Sequence, residues 1–243
     1  MSISRGTMAF ILVILSSILV TSMDAFGFLG LGNSTDWKEE VLLHDGRKII
    51  VERAQVLGGY PTLDSRERMT LEEEWTIPAP ETERKIIWKT GFHPPPKGPC
   101  LMLVLVGFSN DVPYIATAPA GCLAYNHWGR PNPPYVFFKY DGKDWQRIPL
   151  EEFPPELKEV NVAVGRPDPQ HRSGLLSIAT IKEENRNLEP HLRQIVREVI
   201  TSGDGNWRCP EMEYDGKGSW RSPGGAKAPH PISRQSPATG NPK

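Results

Sequence analysis

The chain has 243 residues and a formal net charge of −1, with 28 basic against 29 acidic side chains, so it lacks the basic excess of a nucleic-acid binder. Hydrophobic residues at 38% and charged residues at 23% fit a globular core and exclude a wholly disordered chain, while 24 prolines exclude a long helical bundle or coiled coil. Three cysteines are too few for a disulfide-dense scaffold or a four-cysteine zinc site.

The first readable element is an export signal. Arg5 precedes an uncharged apolar run at residues 8–23, which Asp24 closes. As a helix this run is about 24 Å long, shorter than the ~30 Å hydrocarbon core, and a basic start before a short apolar stretch is the signal-peptide pattern. Residues 1–25 therefore read as a signal peptide, with Val20 and Ser22 as the small residues of a cleavage site or Met23 and Ala25 at a poorer one, or as an uncleaved signal anchor; both stay open. In either case Arg5 holds the amino terminus inside, which places the body in the periplasm or on the outer face of the cytoplasmic membrane.

Residues 26–36 are Gly-rich and read as a linker. Residues 40–44 and 47–52 are strand-like around Asp45-Gly46, a type I′ turn dipeptide. A two-residue turn there would set Leu42, Ile49 and Val51 on one face and Val41, Leu43 and Ile50 on the other, both apolar, which predicts a hairpin inside the sheet system. Strands are expected at 68–77 and 84–90, then an extended proline-rich connector at 93–99, since consecutive prolines cannot donate to a ladder. Further strands are expected at 101–107, 114–118, 122–125, 135–140 and 143–148, with turns at 109–111 and 141–142. After Pro190, apolar residues Leu192, Ile195, Val196, Val199 and Ile200 follow a helical period that Gly203 would end, and 176–187 reads as a second helix. Residues 221–243 carry +4 and one large aliphatic, leaving −5 on residues 1–220; such a tail has too little apolar surface to order. The segments Tyr140-Asp141-Gly142-Lys143-Asp144-Trp145 and Tyr214-Asp215-Gly216-Lys217-Gly218-Ser219-Trp220 are alike, and read as two hairpins sharing turn chemistry rather than as propeller blades.

The densest chemistry lies in residues 119–150, where Tyr125, Trp128, Tyr135, Phe137, Phe138, Tyr140 and Trp145 cluster. Trp128, Arg130, Asn132 and Tyr135 are the candidate ligand-binding residues: an aromatic platform for a glycan or a proline-rich peptide, with two polar contacts. Core packing beneath a rigid 128–135 loop accounts for the same aromatics. Cys122 and His127 could serve as nucleophile and base, but their spacing supplies no third group to orient the base. His44, His93, His171, His191 and His230 show no metal-ligand spacing, and Glu72-Glu73-Glu74 fits a solvated face, so no metal and no cofactor are expected. Register about the 109–111 turn sets Cys100 opposite Pro119 or Ala120, close to Cys122, and export favours oxidation. The expected disulfide is Cys100–Cys122 with Cys209 free; the alternative is Cys122 as a buried thiol.

These segments carry a resemblance. The opening Trp37-Lys38-Glu39-Glu40-Val41-Leu42-Leu43-His44-Asp45-Gly46 and the core from Pro119 through Tyr140-Asp141-Gly142 to Trp145 resemble an uncharacterised family of exported proteobacterial proteins. The likeness runs over about residues 37–154, more weakly to near Glu198, and leaves out the tail. It implies no activity, cofactor or catalytic residue. It implies lysine where this chain has His127, which counts against His127 as a base or ligand.

The sequence therefore predicts an α+β, mainly β fold: an antiparallel sheet or sandwich built from hairpins, with one or two C-terminal helices, at residues 37–220. The expected function is that of a non-catalytic binding or structural domain of the cell envelope. Its partner would be an envelope protein, peptide or glycan and not nucleic acid, with the membrane reached through the N-terminal segment if that is uncleaved. The alternative is a hydrolase-type enzyme centred on Cys122.

Overall fold

Residues 37–43 alternate between buried and exposed side chains, as do residues 48–56, and the loop between them sets which residues go inside. Gly46 takes a left-handed φ of 87°, its N–H donates to the Leu43 carbonyl, and the Leu43 N–H donates to the Arg47 carbonyl. This closes a three-residue loop, not the two-residue turn that Asp45-Gly46 predicts, and one extra residue exchanges the faces. Val41, Leu43, Ile49 and Val51 are buried together, whereas Leu42 and Ile50 lie on the exposed face. The hairpin thus covers one side of the core instead of lying within it.

The computed structural model describes residues 33–58, 69–80, 82, 84–91, 101–201, 209–217 and 219–223. The expected signal segment, the 93–99 connector, Cys100 and most of the tail lie outside the described residues. The first sheet has the order β4-β3-β2-β1-β9, from β1 (Asn33–Leu42), β2 (Lys48–Gly58), β3 (Met69–Pro78), β4 (Lys85–Gly91) and β9 (Leu175–Leu176). β1 begins inside the stretch expected as linker. The second sheet is a meander of β5 (Leu101–Ser109), β6 (Val112–Pro119), β7 (Val136–Tyr140) and β8 (Trp145–Ile148). A short pair, β10 (Glu213–Tyr214) and β11 (Trp220–Arg221), stands apart, and β11 takes in the first residue expected as tail. Apart from the parallel β1–β9 contact, the strand pairs with a described register are antiparallel, and the fold is mainly β, as expected. Among the described residues no helix is long and apolar enough to cross a membrane.

The two large sheets face each other across a core of Val41, Ile49, Val51, Trp75, Ile77 and Trp88 against Leu103, Val106, Phe108, Ile115, Val136 and Phe138. Trp75 and Trp88 are directly opposite on β3 and β4, and their rings stack 4.1 Å apart, with Phe138 edge-on to Trp88. The second sheet is buried on both sides. A bulge between Leu103 and Leu105 changes the phase of β5, so that Val104 and Leu105 join Tyr135, Phe137 and Ile148 on its other face. That face is covered by Phe153, Leu157 and Ile195 from the irregular C-terminal third. Gly107 permits the approach: a Cβ there would sit 2.7 Å from Leu157 Cδ2.

Two expected elements differ. Residues 122–125, read as strand, belong to α1 (Cys122–His127), which turns in after Gly121 at φ 101°. The expected helix after Pro190 is a single 3₁₀ turn, Pro190–Leu192, followed by irregular chain. Its backbone donors are taken by other parts of the fold: Ile195 N–H by the Lys158 carbonyl, Val196 N–H by the Tyr135 hydroxyl and Ile200 N–H by Asn132 Oδ1. These tertiary partners replace the i→i−4 ladder, and Val199 is left 67% exposed. The second expected helix forms as α2 (Ile178–Glu184), capped by Ser177 Oγ accepting from Thr180 N–H.

Between the sheets runs a segment, residues 161–166, that belongs to neither. Val162 and Ala163 are buried, and side chains satisfy the Val162 carbonyl and both backbone groups of Ala163. Asn185 Nδ2 donates to the Val162 carbonyl and its Oδ1 accepts from Val164 N–H. Glu39 Oε2 accepts from Ala163 N–H, and Arg53 Nη1 and Nη2 donate to the carbonyls of Ala163 and Gly165.

Candidate functional site

The 128–135 loop leaves α1 through Gly129 (φ 85°) and Arg130 (φ 52°), both left-handed, which turns its side chains back toward the body. Trp128 is half-buried against the core, edge-on to Phe138, with the Arg147 guanidinium over its ring at 5.4 Å. Arg130 lies over the Tyr125 ring at 5.0 Å and donates to Asn126 Oδ1, the Cys209 carbonyl and the Pro210 carbonyl. Asn132 pairs with the backbone of Ile200 through both ends of its amide. Tyr135 is buried; its hydroxyl donates to the His191 carbonyl at 2.6 Å and accepts from Val196 N–H. Burial pushes the Tyr135 phenol up to about 12, with the Val196 N–H working the other way. Arg130, Asn132 and Tyr135 thus grip the C-terminal segment of their own chain. The loop's outer side borders a groove of about 470 Å³, lined by Asn132, Tyr135, three prolines and Arg147.

Cys122 is bonded to Cys209, with Cα atoms 5.1 Å apart. This corrects the expected Cys100–Cys122 bridge with Cys209 free. The expected register holds, for Leu101 faces Pro119, but Gly121 turns the chain into α1 and carries Cys122 toward residue 209. Bonded in this way, Cys122 has no thiol to offer as a nucleophile. His127 is exposed and edge-on to both Trp128 and Trp220, and partial desolvation holds its imidazole below the usual value. His171 pairs with Glu184 in a different part of the fold. Among the described residues no His, Cys, Asp or Glu group is arranged to hold a metal ion.

Two arrangements escaped the sequence reading. The first is a buried charge cluster on β1, β2 and β3, and it corrects the reading of Glu72-Glu73-Glu74 as a solvated face, because Glu73 is buried against Arg53 while Glu72 stays exposed. Arg53, fully buried, donates to Glu39 Oε1 at 2.8 Å and to Glu73 Oε1 at 2.5 Å and 2.8 Å, and it lies over the Trp37 ring at 4.7 Å. Trp37 and Trp75 each donate an indole N–H to the carboxylate two residues away. Burial works against the Arg53 charge, but Glu73 and Glu39 more than offset it and hold the guanidinium above its ordinary value. The signal was present as two mirrored runs, Trp37-Lys38-Glu39 and Glu73-Glu74-Trp75, on strands whose alternation puts both ends of each run inside.

The second is a cleft of about 550 Å³ lined by the β3–β4, β5–β6 and β7–β8 connections. Its floor is apolar, with Ile86, Phe108, Val112 and Pro113. Arg84 reaches across it to the Tyr140 hydroxyl and the Gly142 carbonyl, tying the first sheet to the second. At the rim Asp141 is held by the N–H groups of Asp144 and Lys143, which lower its carboxyl below the ordinary range. Lys139 borders the cleft through β7, but it pairs with Tyr114 and alternates with Phe138 and Tyr140, so its side chain lies on the sheet's other face; Asp111 joins Asp141 as an acidic residue of the lining. Such a cleft can enclose an apolar group. Nothing in the sequence spacing links residues 84, 113 and 139. In comparisons with known proteins, no family model, no curated protein and no solved structure matches this chain.

Proposed function

We propose that the chain is an exported, non-catalytic binding domain of the cell envelope, related to the exported family that its opening and core resemble. The observation that carries the export half is the Cys122–Cys209 disulfide, because such bonds form and persist in oxidising compartments and are rare in the cytosol. A reporter active only in the periplasm, fused after Lys243, is expected to be active; an inactive fusion in cells that make the full-length product would overturn export.

The binding half rests on the cleft beneath the β5–β6 and β7–β8 turns. The polar groups of the 128–135 loop are engaged with the chain's own backbone, whereas the cleft offers an apolar floor between the sheets. The ligand class that this fits is a peptide segment bearing an apolar side chain. An anilinonaphthalene sulfonate, whose fused rings are apolar, serves as a probe. Its fluorescence is expected to rise on the folded protein, and Ala79→Asp, which sets a charge in the half-buried lining, is expected to remove most of the rise while the melting temperature stays within a few degrees. Equal binding by the two proteins would place the ligand elsewhere.

A further inference from the structure

The hairpin β10–β11 has little to hold it in place by itself. Each strand is two residues long, and among the described residues 209–223 only Cys209 is buried. A two-stranded hairpin of this size is not stable alone in water. Its internal order comes from Asp215, whose carboxylate accepts from Lys217 and Ser219 N–H and pairs with Arg221, and from the Tyr214–Trp220 ring contact. The matching Tyr140–Trp145 hairpin has the same Asp-centred turn and a similar ring pair, but it sits inside a four-stranded sheet.

The described contacts from this hairpin to the body converge on α1 and on Arg130 just beyond it. Asn126 Nδ2 donates to the Pro210 carbonyl and its Oδ1 accepts from Met212 N–H; Arg130 donates to the carbonyls of Cys209 and Pro210; His127 meets Trp220 edge-on. Two of these four hydrogen bonds, those to the Pro210 carbonyl, are exposed to water, where such contacts add little net stability. Against them stands a cost: among the described residues the buried Tyr214 hydroxyl has no hydrogen-bond partner, and release would rehydrate it. The covalent bond at the start of the hairpin is therefore what tips the balance toward the docked state.

We infer that Cys122–Cys209 is a redox latch, exchangeable with a dithiol, and that its reduction releases residues 209–221 from α1 while the sandwich stays folded. Cys122 is the more exposed of the two residues, so a dithiol's thiolate attacks its sulfur and Cys209 leaves as a thiolate. The second thiol of the reductant then attacks the mixed disulfide, which frees Cys122 and leaves the reductant oxidised; two electrons and two protons pass to the protein. Release returns the Asn126 amide and the Arg130 guanidinium to solvent, and these are the groups that hold backbone carbonyls and an N–H in the docked state. The inference is independent of the binding reading, since it concerns α1 and not the inter-sheet cleft.

The test is amide hydrogen exchange on the full-length protein with and without dithiothreitol. After reduction, the amides of Met212 and Ser219 are expected to lose protection, while those of Val106, Ile115 and Ile195 keep theirs, and the His127 imidazole is expected to titrate closer to its ordinary value. Cys122→Ser with Cys209→Ser should reproduce this without reductant. Three results overturn the latch: Met212 still protected in reduced protein, sheet amides exposed together with the hairpin, or a bond that dithiothreitol does not open in the folded state.

Discussion

Replacing Arg53 by methionine is expected to lower the free energy of unfolding by about 3–5 kcal/mol, the usual cost of removing one partner from a buried ion pair. The change leaves Glu39 and Glu73, 0% and 5% exposed, without the cation that offsets their burial. It also strips donors from the carbonyls of Ala163 and Gly165, in the segment threaded between the sheets. Lysine is expected to recover part of the loss and no more, because one ammonium cannot present the planar fork that meets two carboxylates and two carbonyls. The combined change Glu39→Gln, Arg53→Met, Glu73→Gln should be milder than Arg53→Met alone, since it removes the uncompensated charges. Chemical denaturation reads all three as shifts of midpoint at constant slope. A loss below about 1 kcal/mol for Arg53→Met would mean that water reaches the cluster.

This cluster also shows where the sequence was legible and where it was not. The strands could be read because their period of two is written in the side chains, and the two sheets follow from it. The mirrored Trp37/Glu39 and Glu73/Trp75 positions obey that same period. They were missed because a run of charged residues is normally taken as a solvated face. Arg53 and Glu39 complete their bonding on the 161–166 backbone, more than 100 residues further along the chain, and no local pattern announces it. The β1–β2 loop failed on a smaller point: Asp-Gly suits both a two-residue turn and the end of a three-residue loop, and that one residue reverses every facing in the hairpin. The helix after Pro190 failed because spacing at i, i+3 and i+4 cannot distinguish a helix from a strap whose N–H groups have tertiary partners.

The candidate site was legible by position and not by role. The 128–135 loop is chemically dense, as the residues suggested, but Arg130, Asn132 and Tyr135 meet carbonyls and N–H groups of His191, Val196, Ile200 and Cys209. Those partners are supplied by irregular chain with no pattern of its own. The cysteines show the same division. The register of β5 on β6 is as expected, with Leu101 facing Pro119, yet a six-residue helix after Gly121 decides which sulfur Cys122 meets.

Tyr135 makes that gripping role measurable through pH. Its phenol is pushed up to about 12 in the folded protein by burial, against an ordinary value of about 10 in the unfolded chain. A folded value raised above the unfolded one contributes stability that is fully present below pH 10 and is lost as pH climbs from 10 toward 12. A shift of this size corresponds to roughly 2–3 kcal/mol over that window. Burial also raises the Tyr125 phenol, so the alkaline decline has more than one source. Tyr135→Phe keeps the ring against Phe137 but leaves the His191 carbonyl and the Val196 N–H without their hydroxyl partner. It is expected to cost about 1–3 kcal/mol at neutral pH. It should also flatten the fall in stability above pH 10 without abolishing it, so that the two proteins converge as pH rises. Denaturation midpoints measured from pH 7 to 11 test both parts. Parallel curves would show that the Tyr135 hydroxyl titrates as freely folded as unfolded, and that the strap over the second sheet is held by Ile195 and Asn132 without it.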